Sequence, residues 1–195
     1  MLILEVQHLK KSNAPALVLK NKVLRTQSFD DPDENATLTE VIIPYIYCSI
    51  DEELSINIDE NLYDLINNDF SVVAKIDNDC IDFGWCSYYY EKGEVIEWET
   101  RLPELCCVCK IPNIDFNDDI VEVFVDDTLN FKTTDNIIYK VPILHKIKDF
   151  KGLKINPKYL IKGEYCKIYL EKDFPLCIEL LGNHVERRYI APFSY

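Results

Sequence analysis

"YCKIYLEKDFPLCIELLGNHVERRYIAPFSY", residues 165–195, is the stretch on which the fold turns. It reads as a strand (165–170), an acidic turn that meets Pro175, a second strand to Leu180, the turn-like "LGNHVE" (181–186) and a last strand. The run then closes on Ile190, Ala191, Pro192 and Phe193, an apolar ending. Chain ends are ordinarily polar and frayed unless something ties them down, so this one reads as built to dock.

Working outward, β-patterns dominate. "LILEVQH" (2–8), "ALVLK" (16–20), "LTEVIIPYIYCSI" (38–50), "LSINI" (54–58), "FSVVAKI" (70–76), "CIDFGWCSYYY" (80–90) and "GEVIEWE" (93–99) carry the β-branched and aromatic residues that favour strands. "FDDPDENAT" (29–37) is acidic and aperiodic and reads as an exposed loop. The pattern is α+β, β-rich, with few helices and antiparallel sheets.

Two segments have helical spacing. "DENLYDLINND" (59–69) places Leu62, Leu65 and Ile66 on one face behind an Asp59 cap. "VPILHKIKDFKG" (141–152) sets Pro142 in a first turn and Gly152 at a C-terminal cap, with Ile143, Ile147 and Phe150 on a shared face. The flanking Lys146, Lys148 and Lys151 make this second helix basic: either a phosphate-facing helix or a solvated one.

Charge is unevenly spread. Residues 131–195 hold twelve Lys/Arg against seven Asp/Glu, net +5; of the chain's 21 and 34 this leaves nine against twenty-seven, net −18, for residues 1–130. A polyanion would therefore meet the C-terminal third, while the acidic remainder is a solvated surface.

Other classes find little support. No apolar run approaches the roughly 18–20 residues of a membrane helix, and "MLILEVQHLKK" lacks the basic region and cleavage site of a secretory signal. The expected location is inside a cell, nuclear or, in a viral or prokaryotic setting, cytoplasmic. Eight cysteines lack framework spacing; Cys106, Cys107 and Cys109 in "ELCCVCK" have no second pair at zinc-ligand spacing and read as buried strand thiols. His8, His145 and His184 fall in unrelated contexts, with no H-E-x-x-H, G-x-S-x-G or phosphate-cradling glycine loop. Neither a catalytic site, a metal nor a cofactor is expected.

"FSVVAKIDNDCIDFG" (70–84) and "DIVEVFVDDTLNFKT" (119–133) each read as strand, Asx turn, strand. They are either an internal repeat or two ordinary hairpins.

The C-terminal order of strand, Pro-containing turn, strand, loop and a strand ending Tyr-x-Ala-Pro resembles the end of the proliferating-cell nuclear antigen (PCNA) family of DNA sliding clamps. "DIVEVFVDDTLNFKTTD" is similar to that family's strand–turn–strand, and "CCVCKIP" (106–112) to the strand that opens its C-terminal domain. The resemblance covers residues 105–195, so residues 1–104 would form a reduced or divergent N-terminal domain. Between Pro112 and Asp118, where the family has a helix, "NIDFN" is too short for one.

The resemblance implies a ring oligomer that encircles double-stranded DNA independently of sequence, with Lys146, Lys148, Lys151 and Lys154 toward phosphates. It also implies that Pro175, Tyr189, Ala191 and Pro192 line a pocket for replication or repair proteins carrying a short apolar-aromatic peptide. The alternative for the tail is that it closes its own sheet, and for the protein, that it is an acidic β-rich interaction or assembly protein, possibly viral, with no DNA contact.

Overall fold

A computed structural model describes residues 2–5, 16–31, 35–42, 48, 53–68, 73–93, 101–182 and 185–193. Strands account for 54% of it and a single α-helix is present among the described residues, which makes the protein β-rich α+β. The chain divides into two compact units: unit 1 comprises Met1–Asp30 and Leu38–Glu99, and unit 2 comprises Asp31–Thr37 and Thr100–Tyr195.

The strands of unit 1 are β1 (Leu2–Glu5), β2 (Ala16–Lys20), β3 (Val23–Asp31), β4 (Asn35–Ile42), β5 (Leu54–Asn57), β6 (Val73–Ile76), β7 (Cys80–Asp82) and β8 (Ser87–Tyr89), the last residue of β3 and the first three of β4 being counted with unit 2. They form the orders β1-β6-β7-β8 and β4-β3-β2-β5. Helix α1 (Glu60–Asn68) follows β5. It forms as its sequence dictates: the Leu62 amide donates to Asp59 Oδ1 at 2.8 Å, and Leu62 and Ile66 are buried with Leu65 packed against the same core. The Tyr88 hydroxyl donates to the other Asp59 oxygen at 2.7 Å, so β8 and the helix cap hold each other.

In unit 2 the strands are β9 (Leu105–Lys110), β10 (Val121–Val125), β11 (Thr128–Thr133), β12 (Ile138–Lys146), β13 (Phe150–Ile155), β14 (Tyr165–Tyr169), β15 (Leu176–Leu180) and β16 (Val185–Ile190). Their order is β13-β10-β11-β12-β9-β14-β15-β16. The β10–β11 hairpin turns at Asp126, whose carboxylate accepts from the Thr128 amide at 2.8 Å and from Asn130 at 2.9 Å, as an Asx turn should. A core of Val121, Val123, Leu129, Phe131, Cys109, Cys166, Ile168 and Ile178 lies beneath these strands. All eight cysteines are free thiols, those of β9 wholly buried, and no metal-holding group occurs among the described residues.

Two expectations need correction, and one alternative left open by the sequence is decided. The helix predicted over 141–152 is strand, turn and strand: Val141 pairs with Leu129, Ile143 with Cys109, and Leu153 with Val123. Its i, i+4, i+7 apolar spacing was coincidental, because β11 and β9 supply hydrogen-bonding partners on both sides of β12, whereas a lone helix would have only itself. Gly152 is not a helix cap. At φ +149° it lies against β10, and a Cβ there would sit 2.6 Å from Glu122 Oε1.

The acidic loop expected over 29–37 is largely strand, since β3 runs through Asp31 and β4 starts at Asn35. β3 is a strand that the sequence pattern does not announce. The two look-alike hairpins are not equivalent parts of a repeat: β6–β7 lies within β1-β6-β7-β8, whereas β10–β11 lies within β13-β10-β11-β12. The strand expected over 93–99 falls almost wholly outside the described residues.

Candidate partner and nucleic-acid surfaces

The turn between β14 and β15 is held from a distance. Arg101 donates to both carboxylate oxygens of Glu171, at 2.8 and 2.5 Å, and its guanidinium lies 3.7 Å from the Phe174 ring centroid. That bidentate contact holds the Glu171 carboxyl below its ordinary value. The Leu170 amide donates to Glu104 and the Phe174 amide to Glu171, while Asp173 takes φ 64°. Pro175 follows, half-buried, in the turn just before β15, where its missing N–H costs no ladder bond.

Across the hairpin, Leu176 pairs with Ile190 and Cys177 with Tyr189. One step beyond the last pair brings Pro175 opposite Ala191. Tyr189 is buried, while Ala191, Pro192 and Phe193 are half-buried. The Phe193 amide donates to the Lys154 carbonyl on β13 at 2.9 Å, so the end of the described chain is tied to the edge of its own unit.

The four nominated lysines do not form a stripe. Lys146, at the end of β12, pairs with Asp149 at 2.7 Å and Asp127 at 3.4 Å, and chiefly the Asp149 contact raises its pKa. Lys148, in the following turn, is ion-paired to Glu104. Lys151 is exposed on β13, and Lys154 lies opposite Glu122 of β10. Sequence reasoning missed Glu104 as the partner of Lys148, as it missed Arg101, because 44 and 70 residues separate Lys148 from Glu104 and Arg101 from Glu171.

A further group escaped notice. On β14–β15–β16, Lys167 pairs with Glu179 and Glu179 with Arg187 in one cross-strand row. Glu179 is buried and accepts from Lys167 Nζ and Arg187 Nε, both at 2.7 Å. Burial alone would raise its carboxyl, but the two cationic donors outweigh that and hold it below its ordinary value.

No family model and no curated relative matches the chain. Solved structures do. An A. fulgidus PCNA bound to the C-terminal region of FEN-1 is 16% identical, with 100% of this chain and 98% of that one covered at a TM-score of 0.65. A PCNA2–PCNA3 complex from Sulfolobus tokodaii is 14% identical over 96% and 93%, at 0.65. The DNA polymerase III beta subunit of Thermotoga maritima is 12% identical over 99% of this chain and 65% of that one, at 0.59. The chain has the PCNA-like sliding-clamp fold, over its whole length rather than in its C-terminal part alone.

Proposed function

We propose that the chain is a subunit of a sliding clamp, a non-catalytic ring that encircles double-stranded DNA without reading its sequence and presents partner proteins with a docking face. The observation that carries this reading is the match of the whole chain to clamps at TM-scores up to 0.65. Ring closure needs two different surface patches on each subunit. Unit 1 offers β8, the last strand of its sheet among the described residues, with Tyr89 74% exposed on it and Trp85 64% exposed just before it; unit 2 offers Leu144 and Ile147 at the end of β12, 65% and 45% exposed. Within this reading Lys151 is better placed for phosphates than Lys146 or Lys148, whose charges are already met by carboxylates.

Partner docking falls to the half-buried Pro175, Ala191 and Pro192, with Tyr189 beneath them. Ala191→Arg should weaken binding of an apolar-aromatic peptide by on the order of a few kcal/mol while leaving the melting temperature unchanged. A lowered melting temperature, with no peptide bound by the wild type, would instead make the segment a seal for its own sheet.

The experiment for the whole reading joins particle mass by light scattering with retention on closed circular against linearised duplex DNA. A closed oligomer that stays on circles and slides off linear ends supports the clamp. The second reading, an acidic interaction protein with no DNA contact, is favoured by α1, whose exposed Glu60 and Asp64 have no Lys or Arg beside them in the helix. An oligomer that ignores circular DNA at low salt would select it.

A further inference from the structure

The outward face of β9, β14, β15 and β16 has a composition that duplex encirclement does not call for. Cys109 and Cys166 point into the core, so by strand alternation their neighbours Lys110 and Tyr165, themselves a cross-strand pair, point away from it. Tyr165 is 49% exposed with Lys110 Nζ 5.3 Å from its ring centroid. The Leu181 amide donates to the Tyr165 carbonyl, which sets Leu181, 46% exposed, beside it.

Two residues along, on the same face, comes the row Lys167–Glu179–Arg187. These two rows bring together three cations and one carboxylate, and that carboxylate is buried between two of the cations. Lys167 keeps 36% and Arg187 24% of its side chain exposed. Glu164 is the nearest carboxylate in sequence, exposed at the turn before β14, and Glu186 is buried.

We propose that this face binds single-stranded nucleic acid, one unpaired base resting on Tyr165 and Leu181 and the backbone phosphates meeting Lys110, Lys167 and Arg187. The aromatic ring decides the occupant. A duplex offers a protein surface mainly backbone, to which an exposed tyrosine adds little, whereas an unpaired base has a π-face that stacks on it and a phosphate that the adjoining cations hold. An acidic peptide would use the cations but leave the ring idle. Glu179 acts here as a spacer, fixing Lys167 and Arg187 on either side of itself without cancelling both charges.

The test is binding of a labelled oligothymidylate, followed by anisotropy across a salt series, to wild type, Tyr165→Thr, Tyr165→Phe and Lys110→Gln, with polyglutamate as competitor. Thr keeps the strand preference and Phe keeps the ring. Expected results are a loss of roughly tenfold for Tyr165→Thr, wild-type affinity for Tyr165→Phe, and a shallower salt dependence for Lys110→Gln. Tyr165→Thr should leave retention on circular duplex DNA unchanged, so failure here and failure of the clamp reading are told apart. Oligothymidylate binding that is absent, indifferent to Tyr165→Thr, or fully displaced by polyglutamate at equal charge would overturn the proposal.

Discussion

Set side by side, the two units have one plan and two ways of completing it. Read outward, unit 1 runs β5-β2-β3-β4 and β1-β6-β7-β8, and unit 2 runs β13-β10-β11-β12 and β9-β14-β15-β16, so each strand of one has its counterpart in the other at the same place. The repeat is therefore real, but its register matches β6–β7 with β14–β15 and β10–β11 with β2–β3. Each unit also ends alike. After β8 the chain returns to β5, with Lys92 bridged to Ile56 and the Gly93 amide donating to Ser55; after β16 it returns to β13 through Phe193 and Lys154.

The units part company between the fifth and sixth strands. Unit 1 places α1 there, capped by Asp59; unit 2 places a single 3-10 turn, Pro157–Tyr159, capped by the Asn156 side chain. The cause is local. Fifteen residues separate β5 from β6, and after Asp59 the apolar ones fall at 62, 65 and 66 on one helical face, whereas only nine separate β13 from β14, which leaves no room for a helix of α1's length and its caps. Leu160 accordingly has ψ 136°. The lesson is that the strand order fixes the unit, and the connector is free to vary.

The sharpest way to break this comparison is to empty one core. Phe131 is 1% exposed and meets Phe116 edge-on at 5.5 Å, so Phe131→Ala should cost about 4 kcal/mol. Leu62→Ala, fully buried in unit 1, should cost about 3 kcal/mol. If each unit has its own core, amide hydrogen exchange will quicken in the strands of the mutated unit first; equal loss across both would deny the division.

Next in size is Glu179, whose counterpart on β7, Asp82, likewise pairs with a lysine, Lys75, but is only half-buried and has Ser87 rather than an arginine on its other side. Glu179→Gln should cost about 2 kcal/mol at neutral pH by leaving Lys167 and Arg187 short of a countercharge. Its folded pKa lies below the ordinary 4.5, so its contribution is complete above that value and fades as pH falls through the lower, folded one. Acid denaturation curves of wild type and variant should converge once the pH has fallen below that folded value. A constant offset at every pH would mean that the carboxylate's charge is not what stabilises.

Smallest are the two caps. Asp59→Ala removes the acceptor of both the Leu62 amide and the Tyr88 hydroxyl and should lower the melting temperature by about 3 °C. Asn156→Ala frees only the Lys158 amide, and about 1 °C is expected. The reverse ranking would show that the short turn, not the helix, is the more demanding connector.

Much of the molecule was legible locally. Asp59 with Leu62, Leu65 and Ile66 announced α1, Asp126 with Asn130 announced the β10–β11 turn, and the order around Pro175 and Tyr189 announced the clamp fold, because caps, Asx turns and alternation act between residues a few positions apart. What the sequence by itself determined, then, was the class: a β-rich chain with buried thiols and a C-terminal strand order whose resemblance pointed to a clamp. Only the tertiary structure decided that 141–152 is two strands, that Lys146 and Lys148 are tied to carboxylates, that Arg101 clamps the turn before Pro175, and that Lys110, Tyr165, Lys167 and Arg187 share one face. Those outcomes rest on strand register and on contacts reaching across as many as 70 residues, and the free energy of such pairings outweighs a helical period that nothing else in the fold supports.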